Sequence, residues 1–132
     1  MAQYVKLYFA ALIALVALDM LWLGIVARGF YQRYLGFLLG PTQWSAVVVF
    51  YPLFVLGLLA LVLVPGLHAG SLKTTLLRAA LFGLVTYATY DLTNQATVRN
   101  WPLLVTVVDL AWGTAVSVMA SCAGFWAARW PG

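Results

Sequence analysis

The chain has 132 residues, of which 65% are hydrophobic and only 8% are charged. Soluble domains carry about 25% charged residues, so this composition excludes an ordinary water-soluble domain and indicates one compact membrane domain. The formal net charge of +4 comes from basic residues scattered along the chain. Because they form no patch, nucleic-acid binding is not expected.

Four stretches are long and apolar enough to cross a bilayer, which takes about 20 residues. They cover residues 4–27, 42–64, 76–98 and 102–127. The first is too long for a cleaved secretory signal and contains Asp19, so we predict that it is retained. The sequence therefore predicts an all-α integral membrane fold, with four transmembrane helices in one compact bundle and short loops.

The connections between these stretches differ in character. Residues 28–40 combine arginines, aromatics and leucines, which fits either a helix lying in the headgroup region or a plain extension of the first span. Residues 65–72 have the Pro/Gly composition of a turn and contain the only histidine, His68. The short link 99–102 predicts that the third and fourth spans pack as an antiparallel hairpin. Pro52 should kink the second span.

Basic residues are distributed almost evenly over the two sides of the predicted bundle. With four spans, one side has a small excess, which predicts that both termini lie in the cytoplasm. The side with the termini carries Lys6, Lys73, Arg78 and Arg129, and the opposite side carries Arg28, Arg33 and Arg99.

The three acidic residues of the chain, Asp19, Asp91 and Asp109, all fall inside predicted spans. An ionisable group at mid-bilayer costs about 2.5–3.5 kcal/mol on insertion scales, so such groups usually face a polar interior and serve a function. Counted from Arg28 and Arg99 at about 1.5 Å per residue, all three lie about 12–15 Å below the same face. We predict that they form one layer, called the aspartate layer below, nearer the non-cytoplasmic side.

Polar and aromatic residues accompany the aspartates at helical spacing. A tryptophan follows two of the aspartates at i+3, tyrosine and asparagine flank Asp91 on one face, and a threonine precedes Asp109 by three residues. These residues are the predicted ligand contacts: Trp22, Tyr87, Tyr90, Asn94, Thr106 and Trp112.

Three carboxyl groups around one site cannot all stay charged in a low dielectric without a counter-ion, and no basic residue is predicted at that depth. At least one should be protonated, or a cation should be bound. A protonated aspartic acid can donate its proton to a ligand and take it back, as acid–base catalysis requires. We predict Asp91 as the acid or base, with Asp19 and Asp109 setting its protonation.

Other uses of the layer stay open at this point. The carboxyl groups could load and release protons or cations in a carrier, or serve as neutral hydrogen-bonding groups between helices. No dedicated metal site is predicted. An oxygen cluster of Asp19, Asp91, Asp109 and Asn94 would nevertheless suit Na⁺, Ca²⁺ or Mg²⁺ if the helices converge.

Four strings of the sequence resemble a known family over nearly the whole chain. They are YVKLYFAALIALVALDMLWLG, ARGFYQRYLG, LFGLVTYATYDLTNQAT and WPLLVTVVDLAWGT, and they are similar to the bacterial inner-membrane family called domain of unknown function 2177. The resemblance implies a four-span bacterial membrane protein with no assigned activity. Relatives tend to occur in genomic company with lipid-modifying enzymes, which implies a lipid or isoprenoid substrate by association only.

Three functional hypotheses follow. The leading one is that the protein binds or modifies a lipid-like or isoprenoid small molecule, which reaches the aspartate layer from the membrane lipid. The second is a proton- or cation-coupled small transporter, acting as a homodimer. The third is an accessory subunit of a larger membrane complex. The sequence predicts no particular cofactor for any of them.

Overall fold

A computed structural model describes residues 2–129, and all the regular structure within them is helical. Two wide π-helical turns extend the helices, Trp22–Val26 after the first and Leu59–Leu63 after the third. The helices are α1 (Ala2–Leu21), α2 (Arg28–Leu35), α3 (Trp44–Leu58), α4 (Val64–Ala69), α5 (Leu72–Thr97) and α6 (Leu103–Arg129).

Three continuous helical segments are long and apolar enough to cross a membrane, namely Ala2–Val26, Trp44–Ala69 and Leu103–Arg129. Helix α5 has a similar length of 26 residues, but its threonines and charged side chains make it less apolar. The prediction of an all-helical fold with apolar helices of membrane-spanning length is confirmed. Helix α5 is not among the segments that length and composition identify as membrane-spanning. The fourth crossing therefore stays a prediction.

The second helical segment ends later than the sequence indicates. We expected a turn over residues 65–72, yet the helix continues to Ala69. Pro65 follows the wide turn Leu59–Leu63 inside this continuous segment, and the Leu61 carbonyl, four residues before it, accepts a hydrogen bond from Arg78 Nε instead. Gly70 then ends the helix in the left-handed conformation, with φ 63°. His68 is consequently helical, and its Nε2 lies 3.3 Å from the Tyr4 hydroxyl.

Helix α6 is the centre of the bundle, with α1 and α5 packed antiparallel along it. Two glycines let α5 and α6 approach closely. A Cβ at Gly83 would lie 2.2 Å from the Gly113 carbonyl oxygen, and one at Gly113 would lie 2.2 Å from Cγ of Tyr87. The antiparallel hairpin expected from the short 99–102 link is present, and Asn100 makes its turn with φ 64°.

The segment after α1 is a separate helix rather than an extension of the first span. The helix breaks at Ala27, where φ is −108° and ψ is 6°. One face of α2 then packs on the junction of α5 and α6 through Phe30, Tyr31, Tyr34 and Leu35, against Val98, Trp101 and Val105. This return of the chain brings Tyr31 to the aspartate layer.

Helix α3 is the least integrated of the long helices. It continues through Pro52 as one helix. Its backbone diverges from α5, whereas the wide turn Leu59–Leu63 and α4 pack on α5 directly. Aromatic side chains bridge the gap, because the Phe54 ring lies 5.1 Å from the Phe82 ring, centroid to centroid. The divergence leaves an opening between α3 and α5.

Candidate functional site

Asp19 is buried and receives a hydrogen bond at each carboxylate oxygen. The Tyr51 hydroxyl of α3 donates to Oδ2 at 2.7 Å, and the Trp112 indole N–H of α6 donates to Oδ1 at 2.8 Å. A buried carboxyl group with two well-placed donors is a satisfied acceptor. Asp19 therefore joins α1, α3 and α6.

Asp109 is buried and is reached through a two-step chain of donors. The Trp22 indole N–H donates to the Tyr31 hydroxyl at 3.1 Å, and that hydroxyl donates to Asp109 Oδ1. Burial raises the pKa of Tyr31 above its ordinary value, and the hydrogen bond to Asp109 raises it further. Tyr31 thus stays a donor throughout the physiological pH range.

The two Asp-x-x-Trp strings of the sequence pack against each other. Trp112, three residues after Asp109, binds Asp19, while Trp22, three residues after Asp19, reaches Asp109 through Tyr31. The two indole rings stack with centroids 4.4 Å apart and planes 5° apart. Each tryptophan thus serves the aspartate of the other motif, because α1 and α6 pack antiparallel and place the two motifs opposite each other.

Asp91 has surroundings unlike those of the other two aspartates. Its side chain is 0% exposed, and neither carboxylate oxygen receives a hydrogen bond from a donor within residues 2–129. The group that interacts with it is the carboxyl of Asp109. Two ionised carboxylates are both acceptors, so contact between them requires a proton on one of them. Within residues 2–129, Asp91 and Asp109 form a carboxyl pair without a basic partner.

Tyr87 connects the carboxyl groups to the opening between α3 and α5. It lies within electrostatic range of all three aspartates. It also lines a cavity of about 160 Å³, called the tyrosine cleft here, together with Phe50, Phe54, Thr86 and Tyr90. The cleft is almost entirely apolar, and its lining comes from α3 and α5.

A separate ring of hydrogen bonds closes the end of the hairpin. The Trp101 indole donates to the Thr106 hydroxyl at 3.1 Å, and that hydroxyl donates to Oε1 of Gln95 at 2.8 Å. Nε2 of Gln95 returns a bond to the Trp101 carbonyl at 2.9 Å. Thr106 thereby holds α5 against α6, and the ligand contact expected of it stays a prediction.

The structure divides the predicted site into two parts. Asp91, Asp109 and Tyr87 lie together near the cleft, whereas Asp19 is enclosed by Tyr51 and Trp112. Tyr90 is exposed beside the cleft, with its ring edge-on to Trp101, and Asn94, although half-buried, gives no hydrogen bond to Asp91.

The convergence that a cation site would need is not formed by the described part of the chain. Within residues 2–129, no three Asp, Glu, His or Cys side chains come close enough to hold a metal ion. The reason is that Asp19 points toward α3 and α6 and is occupied by its own donors.

Sequence reasoning did not assign a role in the site to Tyr31, Gln95 or Trp101. The burial of Tyr31 against the bundle could have been predicted, because the aromatic residues of 28–35 recur at the spacing of one helix face. The partner of Tyr31 could not be predicted, because it depends on how the chain folds back at Ala27. That fold decides which surface of the bundle this helix face covers.

The fold and the site define a helical integral membrane protein with a buried layer of carboxyl groups. The chain belongs to the family described as predicted membrane protein (DUF2177), whose model matches residues 4–126. The family resemblance expected from the sequence is confirmed. The comparisons with curated proteins and with solved structures give no match.

Proposed function

We propose that the protein binds a lipid-like or isoprenoid small molecule at the Asp91–Asp109 pair and exchanges a proton with its polar end. The observation that supports this most directly is that Asp91 has no N–H or hydroxyl donor within residues 2–129 and only the carboxyl group of Asp109 beside it. Both of its oxygens are buried without a donor, beside a second carboxyl group. A buried polar group without a partner costs about 1–3 kcal/mol, and a ligand that supplies hydrogen bonds removes that cost.

The role of each residue follows from its surroundings. Asp91 is the acid or base, because its oxygens are free to bind the ligand. Asp109 shares its proton and is held by Tyr31. Asp19, with both oxygens bonded, acts indirectly by positioning Trp112, whose ring with Trp22 forms one wall of the layer. In this assignment Asp19 is a positioning residue.

The tyrosine cleft supplies the route from the lipid. Its lining is apolar, as a hydrocarbon chain requires, and Tyr87 stands at its inner end within range of the carboxyl groups. Tyr90 and Phe50 stand at its exposed side. A ligand lying in the cleft would place its chain among aromatic rings and its polar end at Asp91.

The proposal includes a four-span arrangement in a bacterial inner membrane, with both termini in the cytoplasm. The packing of α5 supports the fourth crossing. Gly83 near the middle of α5 abuts the Gly113 carbonyl oxygen of α6, and toward the end of α5 Gln95 bonds the Trp101 carbonyl just before α6 begins. Because α5 follows α6 along this length, α5 crosses the membrane if α6 does.

The test is native mass spectrometry of the protein extracted gently from its own membrane, for wild type and Asp91→Asn. We expect wild type to retain an apolar or amphipathic molecule and the variant to lose most of it, since an amide cannot exchange a proton. Thr89→Val is the matched control, because its hydroxyl on the same helix is exposed and bonded to the Val85 carbonyl.

Equal retention of the same molecule by wild type and Asp91→Asn would overturn the proposal, provided that both variants melt at the wild-type temperature. The same spectra report partners. A mass of two chains would support a homodimer, and co-purification of another protein would support the accessory-subunit alternative.

A second candidate, a proton-coupled carrier, is favoured by one feature of the same pair. Carboxyl groups that share a proton inside a membrane, with no basic partner, are suited to loading and releasing that proton. This reading predicts that purified protein in vesicles dissipates an imposed pH gradient and that Asp91→Asn stops it. Gradient decay indistinguishable from empty vesicles would rule out this candidate.

A further inference from the structure

A second cavity lies on the outer surface of the bundle, on the other side of Thr86 from the tyrosine cleft. It has a volume of about 430 Å³, within the range of about 300–1,000 Å³ common for ligand sites. We call it the arginine groove. Its lining is apolar apart from one charged side chain and one hydroxyl, and comprises Leu61, Val62, Arg78, Leu81, Phe82, Val85 and Thr86.

Arg78 is fixed at the edge of this groove. Its Nε donates to the Leu61 carbonyl at 2.9 Å, in the wide turn Leu59–Leu63 that forms the opposite wall. A guanidinium group carries five N–H donors, so this bond leaves its two terminal nitrogens for another acceptor. The Arg78 side chain is exposed.

No side-chain carboxylate of the chain can neutralise Arg78. The only acidic residues are Asp19, Asp91 and Asp109. Asp91 follows Arg78 by thirteen residues on the same helix, which corresponds to about 20 Å, and the other two lie in the same layer as Asp91. The Arg78 guanidinium therefore has no side-chain counter-ion within the chain, which leaves its positive charge to attract an anion from outside the protein.

We propose that the arginine groove holds one anionic membrane lipid, with an acyl chain along Leu81 and Val85 and the headgroup phosphate on Arg78. Planar N–H pairs of arginine match phosphate oxygens in geometry as well as charge. Arg78 lies about 9 Å from the start of α5, at the depth where a headgroup meets the hydrocarbon. The proposal stands independently of any chemistry at Asp91, because the groove and the cleft share only Thr86.

The experiment measures retention of defined lipids on delipidated protein by native mass spectrometry. The probes are dioleoyl phosphatidylglycerol and dioleoylglycerol, which have the same chains but differ in the phosphate, and inorganic phosphate alone. We expect one phosphatidylglycerol per chain, with dioleoylglycerol and inorganic phosphate held much more weakly. Arg78→Gln should weaken phosphatidylglycerol binding by about tenfold or more, the value of a charge-assisted hydrogen bond, and Arg78→Lys by less.

Two matched controls separate a site from general charge and packing effects. Lys73→Gln removes an exposed cation from the same helix outside the groove, and it should leave binding unchanged. Val85→Trp should fill the groove and block the chain while retaining Arg78. Val5→Trp makes the same change on α1 at a nearly identical exposure, 53% against 54% for Val85, and should have no effect.

The proposal fails if dioleoylglycerol binds as tightly as phosphatidylglycerol, or if Lys73→Gln weakens binding as much as Arg78→Gln. It fails equally if inorganic phosphate alone displaces the lipid at stoichiometric concentration, or if Val85→Trp binds like wild type. Because Val85→Trp keeps the arginine, it tests the groove even where Arg78→Gln does not fold.

Discussion

Asp19 and Asp91 are the same residue type in one layer of the membrane domain, yet their environments are opposite. Asp19 accepts hydrogen bonds from Tyr51 and Trp112, while Asp91 accepts none within the described chain. A carboxyl group with two donors stabilises helix contacts, whereas one without donors costs free energy until something binds it. The two aspartates thus differ in their hydrogen-bonding neighbours rather than in depth.

This difference predicts a stability effect at Asp19. Tyr51→Phe removes the donor to Oδ2 and leaves a buried acceptor with one partner fewer, so unfolding in detergent should become easier by about 1–2 kcal/mol. Tyr8→Phe is the control, because its hydroxyl bonds the Pro52 carbonyl at an exposed position. We expect a change under about 0.5 kcal/mol there. If the two variants lower the unfolding free energy equally, the hydrogen bond from Tyr51 to Asp19 contributes no more to stability than an exposed hydrogen bond does.

At the scale of the helix, the hairpin of α5 and α6 depends on the absence of two side chains. Gly83 and Gly113 face each other, and backbone atoms occupy the space that a Cβ at Gly83 would need. Small residues at such contacts let transmembrane helices approach closely enough for dispersion and hydrogen bonding to hold them. The approach also presses Tyr87 against α6, where it faces the carboxyl groups.

Gly83→Ala should therefore destabilise the hairpin and disturb the site together. The added methyl would lie 2.2 Å from the Gly113 carbonyl oxygen, which is backbone and cannot rotate away. We expect a loss of about 1–3 kcal/mol in unfolding free energy, the usual cost of overpacking. Gly24→Ala is the matched control, since nothing lies within 4 Å of its added Cβ. A stable Gly83→Ala protein with wild-type ligand retention would contradict the close packing described here.

The sequence predicted helices better than it predicted helix ends and side-chain partners. The apolar stretches, the hairpin and the presence of the acidic residues inside the helices followed from composition and spacing. The extension of the second segment to Ala69 could not be predicted in this way, because proline is common both in turns and in the first turn of a helix. Nor could the pairing of Tyr31 with Asp109, since contacts distant in sequence depend on how helices pack.

At the scale of the whole molecule, the two ends of the bundle differ in character. One end has the two-residue turn between α4 and α5, beside Lys73 and Arg78, together with the start of α1 and the end of α6, where Gln3 donates to the Ala128 carbonyl. The opposite end has the long segment 27–43, with α2 lying over the hairpin junction, and it is the end nearer the carboxyl pair. A lipid held at Arg78 and a ligand at Asp91 would accordingly occupy opposite halves of the membrane.

Orientation and the fourth crossing are testable together by cysteine labelling. With Cys122 replaced by Ala, single cysteines at Ala69, Thr42 and Arg99 occupy exposed positions at helix ends. Four spans with cytoplasmic termini predict that a membrane-impermeant maleimide labels Thr42→Cys and Arg99→Cys in intact spheroplasts. Ala69→Cys should react only after lysis, because α5 separates it from Arg99 by about 39 Å of helix. Reaction of Ala69→Cys and Arg99→Cys from the same side would mean that α5 does not cross. The inverse labelling pattern would keep four spans and reverse the orientation.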